Sequence, residues 1–392
     1  MNAGTLAITG GHVVPVDGEP IPGGTVLISG STITAVGTAA RVPVPDGVRI
    51  VDARGLWVLP GLVEAHSHLG VSEEGEAGDA INEPSWPDAA ALRVLDGINP
   101  ADTGFADALA GGVTTAVVMP GSAGPIGGQT AAVKCHGRTV EEMLVRAPAG
   151  VKSALGENPI GTGRAPATRF GTAAILRDAF RAARDQRTRG AAGRDTAQGV
   201  LARVLDGELP WCQHAHRADD IATALRLADE FGYRLVLHHG TEAHLLADLI
   251  AARGVPVVCG PLLTGRSKVE LRHKTLRNPG ILARAGVQIA ITTDHNAVPI
   301  SFLVHQATLA MKEGLDRDTA LRSVTLNPAR MLGLDDRVGA LRPGLDADVV
   351  LWSGDPLEVM SRALRVFIEG REVYRYGSGA EDRHRDRPAG TP

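Results

Sequence analysis

Eight short apolar runs alternate with segments of helical character through the middle of this chain. The runs are Trp57–His66, Val113–Met119, Ala131–Cys135, Val151–Leu155, Leu209–His214, Arg234–His239, Pro256–Cys259 and Val287–Asp294. Such alternation is typical of an α/β domain with a parallel sheet, and eight units within residues 57–344 fit a (β/α)8 TIM barrel. A doubly wound open sheet is the alternative, but no GxGxxG motif opens a helix after the first run. The sequence therefore predicts a barrel.

Both ends of the chain differ from the middle, because their short β-type runs are separated by turns rich in glycine and proline. In residues 1–56 these runs include Leu6–Ile8 and Thr25–Ile28, and in residues 345–376 they include Ala347–Trp352 and Val366–Ile368. The pattern predicts short strands. We expect residues 1–56 and 345–376 to form one composite β-sandwich with the barrel of residues 57–344 inserted, and residues 377–392 to form a disordered tail.

Composition narrows the classes of partner. The 392 residues carry a formal net charge of -4, and only a stretch near residues 177–194 is rich in arginine, which argues against nucleic acid. No long apolar window predicts a membrane span, and the amino terminus lacks the features of a signal peptide. The three cysteines, Cys135, Cys212 and Cys259, lie in apolar runs and indicate buried free thiols. We therefore expect a cytoplasmic homo-oligomer that binds a small molecule.

A pair of histidines, His66 and His68, lies at the end of the first apolar run. Residues two apart on a strand point to the same face, so both imidazoles can reach one metal ion. Three later runs also end in residues that can bind a metal, namely His214, His238 with His239, and Asp294. Barrel enzymes carry their chemistry at the carboxyl ends of the strands. The pattern predicts a metal centre at that end.

The fourth run offers two candidates for a ligand that bridges two metal ions. Lys152 is one of only five lysines among 40 Lys and Arg side chains, and lysine is rarely buried without a partner. A lysine carboxylated by CO2 is an anionic bridging ligand, which arginine cannot become. Glu157 could bridge without modification, and a site with one metal needs neither residue. We favour Lys152, for which an ion pair with Glu157 or Asp294 is the structural alternative.

Seven motifs give the chain a resemblance to the amidohydrolase superfamily, and more closely to its imidazolonepropionase-like branch. They are PGLVEAHSH (60–68), GGVTT (111–115), HAHRADD (214–220), HHGTEAH (238–244), TTDH (292–295), NPARMLGL (327–334) and GALRPGLDADVVLW (339–352). The resemblance covers nearly the whole chain and implies a metal-centred barrel on a composite β-sandwich. By motif position, it implies that the metal ligands are His66, His68, His214, His239 and Asp294. It does not decide between Lys152 and Glu157, and Glu64 replaces the aspartate more usual at its position.

Imidazole and carboxylate ligands suit Zn²⁺ or another divalent first-row ion, with one or two ions in the site. Such an ion lowers the pKa of bound water to about 7 and polarises a substrate carbonyl. We expect Asp294 and His239 to be catalytic, with Asp294 as the base that passes the proton of water to the leaving nitrogen. The predicted reaction is hydrolysis of a C–N bond in a cyclic amide or N-acyl compound. Deamination of an amino-heterocycle and a catalytically silent scaffold are the alternatives.

Several residues outside the ligand set are candidates for supporting the ligands or binding the substrate. They are His216 and His295 beside predicted ligands, the cations Arg266, Lys268 and Arg272 after the seventh run, and Gln129. The cations could hold a substrate carboxylate, or they could form a solvated helix face.

Overall fold

The computed structural model describes residues 4–73, 81–83, 85–161, 165–189 and 193–378. Its strands are β1 (Leu6–Val13), β2 (Ile21–Ser29), β3 (Thr32–Thr38), β4 (Arg49–Asp52), β5 (Trp57–Pro60), β6 (Leu62–Ser67), β7 (Val113–Val118), β8 (Ile126–Lys134), β9 (Leu144–Ala154), β10 (Trp211–Ala215), β11 (Leu235–His239), β12 (Val257–Cys259), β13 (Ile289–Ile291), β14 (Val349–Trp352), β15 (Ala363–Ile368) and β16 (Arg371–Arg375). Its α-helices are α1 (Gly104–Ala110), α2 (Val140–Met143), α3 (Arg169–Arg189), α4 (Ala197–Leu205), α5 (Ala218–Phe231), α6 (Ala247–Ala252), α7 (Asn278–Arg284), α8 (Leu303–Lys312), α9 (Arg317–Arg322) and α10 (Leu326–Met331). The predicted tail lies outside the described residues from residue 379 onward.

Strands from both ends of the chain pair in one sheet, which we call the terminal sheet. Its order is β16–β15–β14–β5–β1–β2–β3, and β4 pairs with β1. The apolar cluster of this sheet includes Ile8, Val26 and Phe367, which are all fully buried. Gly30, with a φ of 62°, supplies the left-handed conformation that the tight β2–β3 turn needs. The two chain ends therefore pair with each other, while the sandwich itself stays a prediction.

The first apolar run forms two strands instead of one. Strand β5 pairs with β1 and β14 in the terminal sheet, whereas β6 pairs with β7 in the other sheet. The prediction of a single strand from Trp57 to His66 is therefore wrong. Pro60 and Gly61 mark the break, because proline ends ladder pairing and glycine allows close approach of the backbone. A Cβ atom on Gly61 would collide with the side chain of Thr114.

The second sheet has the order β6–β7–β8–β9–β10–β11–β12–β13 within the described residues, and all eight predicted runs contribute to it. Strands β6 and β7 pair in parallel, as do the successive strands from β9 to β13. A β-bridge between Ser67 and His295 brings the two edges together. The sheet is thus nearly closed, in agreement with the predicted TIM-like barrel.

Strand β8 is the exception to the parallel arrangement, because it runs antiparallel to both β7 and β9. The prediction of an entirely parallel sheet is wrong at this strand. Only residues 119–125 join β7 to β8, and a parallel crossover requires a dozen residues or more. The short connection therefore forces the chain to turn back. As a result, the start of β8 lies where the other barrel strands end.

A buried group of ion pairs joins the barrel to the terminal sheet. Lys134, at the end of β8, has its Nζ 2.8 Å from a carboxylate oxygen of Asp346 and 2.9 Å from one of Asp348. Arg337 also pairs with Asp346, at 2.8 Å. The reversed direction of β8 places Lys134 beside the segment that leads into β14. This lysine therefore connects the two sheets and lies away from the predicted metal centre.

Helix α3 is the longest helix in the described part of the chain, with 21 residues. Phe180 in this helix stacks on Tyr233 with ring centroids 4.8 Å apart and meets Trp211 edge-on at 4.8 Å. This packing attaches helix α3, which lies between β9 and β10 in the chain, to the barrel. None of the helices in the described ranges, α3 included, has the length and apolar character needed to cross a membrane.

Candidate metal centre

Three predicted ligands meet at the junction of the first and last barrel strands. His66 lies in β6, His68 follows it directly, and Asp294 lies just after β13. The Nε2 atoms of His66 and His68 are 3.5 Å and 3.4 Å from Oδ1 of Asp294. The strand β6 places the two imidazoles on one face, and closure of the barrel brings the carboxylate to them. The three side chains can hold one metal ion, because their ligand atoms all lie within 4.8 Å of one another.

Two further predicted ligands, His214 in β10 and His239 in β11, lie next to this group. The ring centroids of His214 and His239 are 4.5 Å apart, and those of His66 and His239 are 4.8 Å apart. Nε2 of His66 and both ring nitrogens of His214 are buried without a hydrogen-bond partner in the described part of the chain. Buried polar atoms are normally paired. Unpaired imidazole nitrogens that converge in this way fit a metal ion, for which neutral imidazole is a preferred ligand.

Hydrogen bonds orient two of these rings. Nδ1 of His68 lies 2.8 Å from the carbonyl oxygen of Met119, and Nδ1 of His239 lies 2.9 Å from that of Gly260. A carbonyl oxygen only accepts, so each Nδ1 carries the hydrogen and each Nε2 offers its lone pair. Such an outward partner is typical of metal-binding histidines.

The electrostatics of the group keep His66, His214 and His239 neutral. Burial lowers the pKa of His66 and His214 well below the ordinary value, and neighbouring cationic groups lower it further. Burial also lowers the pKa of His239 to about 4, although Asp294 opposes the shift. Burial alone would raise the pKa of Asp294, but the neighbouring His68, His239 and Lys152 side chains lower it overall. At neutral pH the group therefore offers unprotonated imidazoles and a carboxylate, the forms that bind a metal.

The group lines a cavity of about 200 Å³ at this end of the barrel. The side chains and backbone around it belong to His66, His68, Ser122, Lys152, Asn158, His214, His216, His239, Thr241, Gly260, Pro261, Thr264, Ser267, Lys268, Leu271, Asp294 and Ala297. All five ligands that the resemblance implies are therefore together on one cavity.

Comparisons with known proteins agree with this geometry. The sequence pattern described as the amidohydrolase family matches residues 57–373. The chain belongs to the amidohydrolase family. This confirms the resemblance inferred from the motifs, and it identifies the protein as a hydrolase that acts on C–N bonds.

Three proteins illustrate how near its relatives are. The Amidohydrolase tasK of Hapsidospora irregularis is 29% identical over 90% of this chain, which spans only 42% of that protein's length. An imidazolonepropionase of Rhizorhabdus wittichii is 29% identical over 86% of this chain and 90% of its own length. The crystal structure of an amidohydrolase from Thermotoga maritima MSB8 has a TM-score of 0.90 and 40% identity, over 94% of this chain and 100% of that one.

The two candidate bridging residues of the amidohydrolase lie in different places. Lys152 is fully buried in β9, lines the cavity and donates a hydrogen bond from Nζ to the carbonyl oxygen of Pro120, at 3.1 Å. Burial lowers the pKa of Lys152 to about 8, although Asp294 opposes the shift. Glu157 does not line the cavity, and its backbone N–H donates to Glu270. Among the described residues Lys152 has no ion pair within 4.0 Å, so the structural alternative for this lysine lacks support.

The predicted substrate residues divide into those that line the cavity and those that do not. His216 and Lys268 line it, with Nδ1 of His216 placed 2.8 Å from the hydroxyl of Thr241. Arg266 and Arg272 are exposed and lie outside it. Of the three predicted cations, only Lys268 lies where it could contact a substrate in the cavity, so substrate binding stays a prediction for this residue alone.

Two other candidates have structural contacts instead of a place on the cavity. The side-chain amide of Gln129 donates to the carbonyl oxygens of Ala90 and Ala91, at 3.3 Å and 3.2 Å. His295 is buried and accepts at Nδ1 a hydrogen bond from the backbone N–H of Ile300, at 3.2 Å. Neither side chain lines the cavity.

A buried glutamate, Glu270, is a site residue that the motifs did not reveal. It is fully buried, and its Oε1 lies 2.9 Å from Nζ of Lys268 and 3.8 Å from Nε2 of His216. Nζ of Lys268 also donates to Oδ1 of Asn158, at 2.6 Å. Glu270 thus holds Lys268 at the cavity. In the sequence, the one indication of this role is that Glu270 is an acidic residue among the cations that follow the seventh run.

Glu64 contacts the two segments that carry the predicted ligands His66 and Asp294. This fully buried carboxylate accepts hydrogen bonds from the hydroxyl and the backbone N–H of Thr293, at 2.6 Å and 2.9 Å, and from the backbone N–H of His66, at 3.1 Å. Burial raises the pKa of Glu64 to about 7. Glu64 therefore connects β6 to the segment that carries Asp294. This structural role was not expected from the sequence.

Backbone strain coincides with two of the predicted ligands. His239 has a φ of 71° and Asp294 a φ of 52°, in the left-handed region that residues other than glycine rarely adopt. Such strain persists where the surrounding structure holds it, and it is concentrated at functional sites. The two residues expected to be catalytic in this amidohydrolase are thus both held in an unfavourable conformation.

Proposed function

We propose that this amidohydrolase hydrolyses the amide C–N bond of a small cyclic amide or N-acyl compound with the help of divalent metal. The observation that carries the proposal is the convergence of four buried histidines and Asp294 on one cavity. Several of their nitrogens have no partner in the described residues. A catalytically silent scaffold would have no need to bury such costly groups.

The donors divide naturally into two sets. His66, His68 and Asp294 would hold one ion, while His214 and His239 would hold a second together with Lys152. Zn²⁺ or a similar first-row ion suits these ligands. When bound, the metal lowers the pKa of water and polarises the carbonyl of the substrate.

Lys152 fits the role of a carboxylated bridging ligand. Only the neutral amine reacts with CO2, and a pKa of about 8 leaves a useful neutral fraction near pH 7 to 8. The new N–C bond forms as one proton leaves Nζ, and the product is a carbamate anion with two oxygen donors. Burial of an uncompensated lysine is otherwise costly.

Asp294 would transfer the proton of the reaction. Its carboxylate is ionised and lies at the cavity, where it can accept a proton from the attacking water. The same proton then passes to the leaving nitrogen when the C–N bond breaks. His239 would support this step by holding the metal beside Asp294 in the neutral form that its low pKa provides.

Lys268 would recognise an acceptor group on the substrate, such as a carboxylate or a second carbonyl. Its Nζ donates a hydrogen bond to Asn158 and forms an ion pair with Glu270, and an ammonium group with three hydrogens can still donate to a ligand. His216, also on the cavity, would contact the same part of the substrate. The volume of about 200 Å³ restricts the substrate to a small molecule.

A substrate screen with a metal assay tests the proposal. The purified protein would be assayed with lactams, hydantoin-like rings and N-acyl amino acids, before and after chelation and after return of Zn²⁺. We expect metal-dependent ring opening or deacylation. Release of ammonia without either would show a deaminase instead, and bound metal without turnover of any substrate would favour the silent scaffold. A native protein that binds no metal would refute the proposal.

A further inference from the structure

His238 is a buried histidine outside the proposed ligand set. It immediately precedes the ligand His239 in β11 and is fully buried. Its Nδ1 lies 3.0 Å from Nδ1 of His66, and the two ring centroids are 4.9 Å apart. The side chain therefore contacts a metal ligand on the side that faces away from the cavity.

The partner of His66 differs in kind from the partners of the other oriented ligands. Nδ1 of His68 and Nδ1 of His239 face backbone carbonyl oxygens, which can only accept a hydrogen bond. Nδ1 of His66 faces another imidazole nitrogen, which can either donate or accept. The protein backbone thus determines the tautomer of His68 and His239, whereas the tautomer of His66 depends on that of His238.

We propose that His238 is a positioning residue that keeps His66 in the tautomer that binds metal. This inference rests on the proposed metal-dependent function. Nδ1 of His238 accepts the hydrogen from Nδ1 of His66, which leaves Nε2 of His66 with a free lone pair toward Asp294. The opposite arrangement would place the hydrogen of His66 on Nε2, where it would block the metal.

The assignment has a consequence for His238 itself. Each neutral ring carries one hydrogen, so His238 carries its hydrogen on Nε2 whenever its Nδ1 accepts. This Nε2 is buried and has no hydrogen-bond partner within the described ranges. An unpaired buried N–H is unfavourable, and the orientation of His66 is the compensating gain.

Three variants of His238 distinguish the effect of its hydrogen-bond acceptor from the effect of the space that its ring fills. His238→Asn keeps an acceptor oxygen at the same number of bonds from Cα as Nδ1, His238→Gln moves it one bond further, and His238→Phe removes it but fills the space. We expect the Phe and Gln variants to bind metal about 10- to 100-fold more weakly, the usual effect of losing the outer partner of a ligand. The Asn variant should stay close to the native affinity. His305→Phe, a half-buried position on α8 away from the cavity, is the control.

The affinity of each metal-free protein for Zn²⁺ would be measured by competition with a chelator, together with thermal melting to check the fold. In the native protein loaded with Zn²⁺, long-range ¹H–¹⁵N spectra of labelled histidine would identify the tautomers. We expect hydrogen on Nδ1 of His66 and on Nε2 of His238.

Hydrogen on Nδ1 of His238 in the loaded protein would overturn the inference, as would equal affinities of the Asn and Phe variants. If the Phe variant fails to fold, the comparison of Asn with Gln and the spectra still decide. A native protein that binds no Zn²⁺ would instead refute the proposed function, so the two failures can be told apart.

Discussion

Replacing Asp294 by asparagine tests the proposed chemistry most directly. Asparagine has nearly the same volume, and it tolerates the left-handed conformation of this position, where φ is 52°. The variant should therefore fold, while the base is lost. Asp294 is the one carboxylate among the described residues that line the cavity, so no neighbour can replace it.

The expected loss follows from the role of a general base. Such a base contributes about 10²- to 10⁴-fold to the rate, which corresponds to about 3 to 5 kcal/mol of transition-state stabilisation. We expect the kcat of Asp294→Asn to fall within this range on any substrate found in the screen, with a small change in KM. Steady-state kinetics with zinc in excess would measure it.

A control must separate the loss of the base from the loss of metal, because Asp294 is also a proposed ligand. Metal content would be determined on the same samples by elemental analysis. If the variant retains bound metal and more than about a tenth of the native kcat, the role of Asp294 as general base is refuted. If it loses metal, kcat must be compared at zinc concentrations that restore occupancy.

Three further predictions concern other parts of the site. Lys152→Ala should lose roughly half of the bound metal, and it should lose the ¹³C NMR signal of the carbamate that forms with labelled bicarbonate. Glu157→Gln should keep both. Unchanged metal content in Lys152→Ala would exclude Lys152 as a bridging ligand. The free energy of unfolding of the metal-free protein should fall as the pH drops from about 6.5 toward 4, because burial lowers the pKa of His239 to about 4 and also lowers that of His66 and His214, so the unfolded chain binds more protons at these histidines. Glu64, with its pKa raised to about 7, contributes with the opposite sign, and the three histidines together outweigh this one group. Urea unfolding at pH 8 and pH 5 measures this, and equal midpoints would contradict it. Lys268→Met should raise KM by about tenfold or more, because the variant loses a hydrogen bond from a charged group to the substrate. The same change at the exposed Arg272 should leave KM unchanged. Equal KM values for the two variants would show that the substrate does not contact Lys268.

That the proposed ligands lie close together could be predicted, because it depends on local rules. His66 and His68 share a face by the period of a strand, and an apolar run that ends in Asp294 or His239 points to the same edge of the barrel. Burial of Lys152 could be suspected from the scarcity of lysine. These features need only the order of residues along each strand.

The parts that were missed have two causes. The direction of β8 follows from the short connection at residues 119–125, and the prediction used the apolar runs without the length of the segment between them. The other missed features depend on contacts between segments far apart in the chain. Arg272 and Lys268 are equally cationic in the sequence, and only the packing of Glu270 turns one of them toward the cavity. Similarly, the contact of His238 with His66 joins two strands that are 172 residues apart.

The turn between β7 and β8 limits how the mouth of this barrel can evolve. Within a few residues it supplies the carbonyl oxygen of Met119 to His68, that of Pro120 to Lys152, and Ser122 to the cavity wall. Loops at this end of a barrel usually tolerate insertion and thereby change specificity. Here an insertion would displace a proposed metal ligand, the proposed bridging lysine and part of the cavity wall together. New specificities should therefore arise in the loop that carries Lys268, and this turn should keep its length.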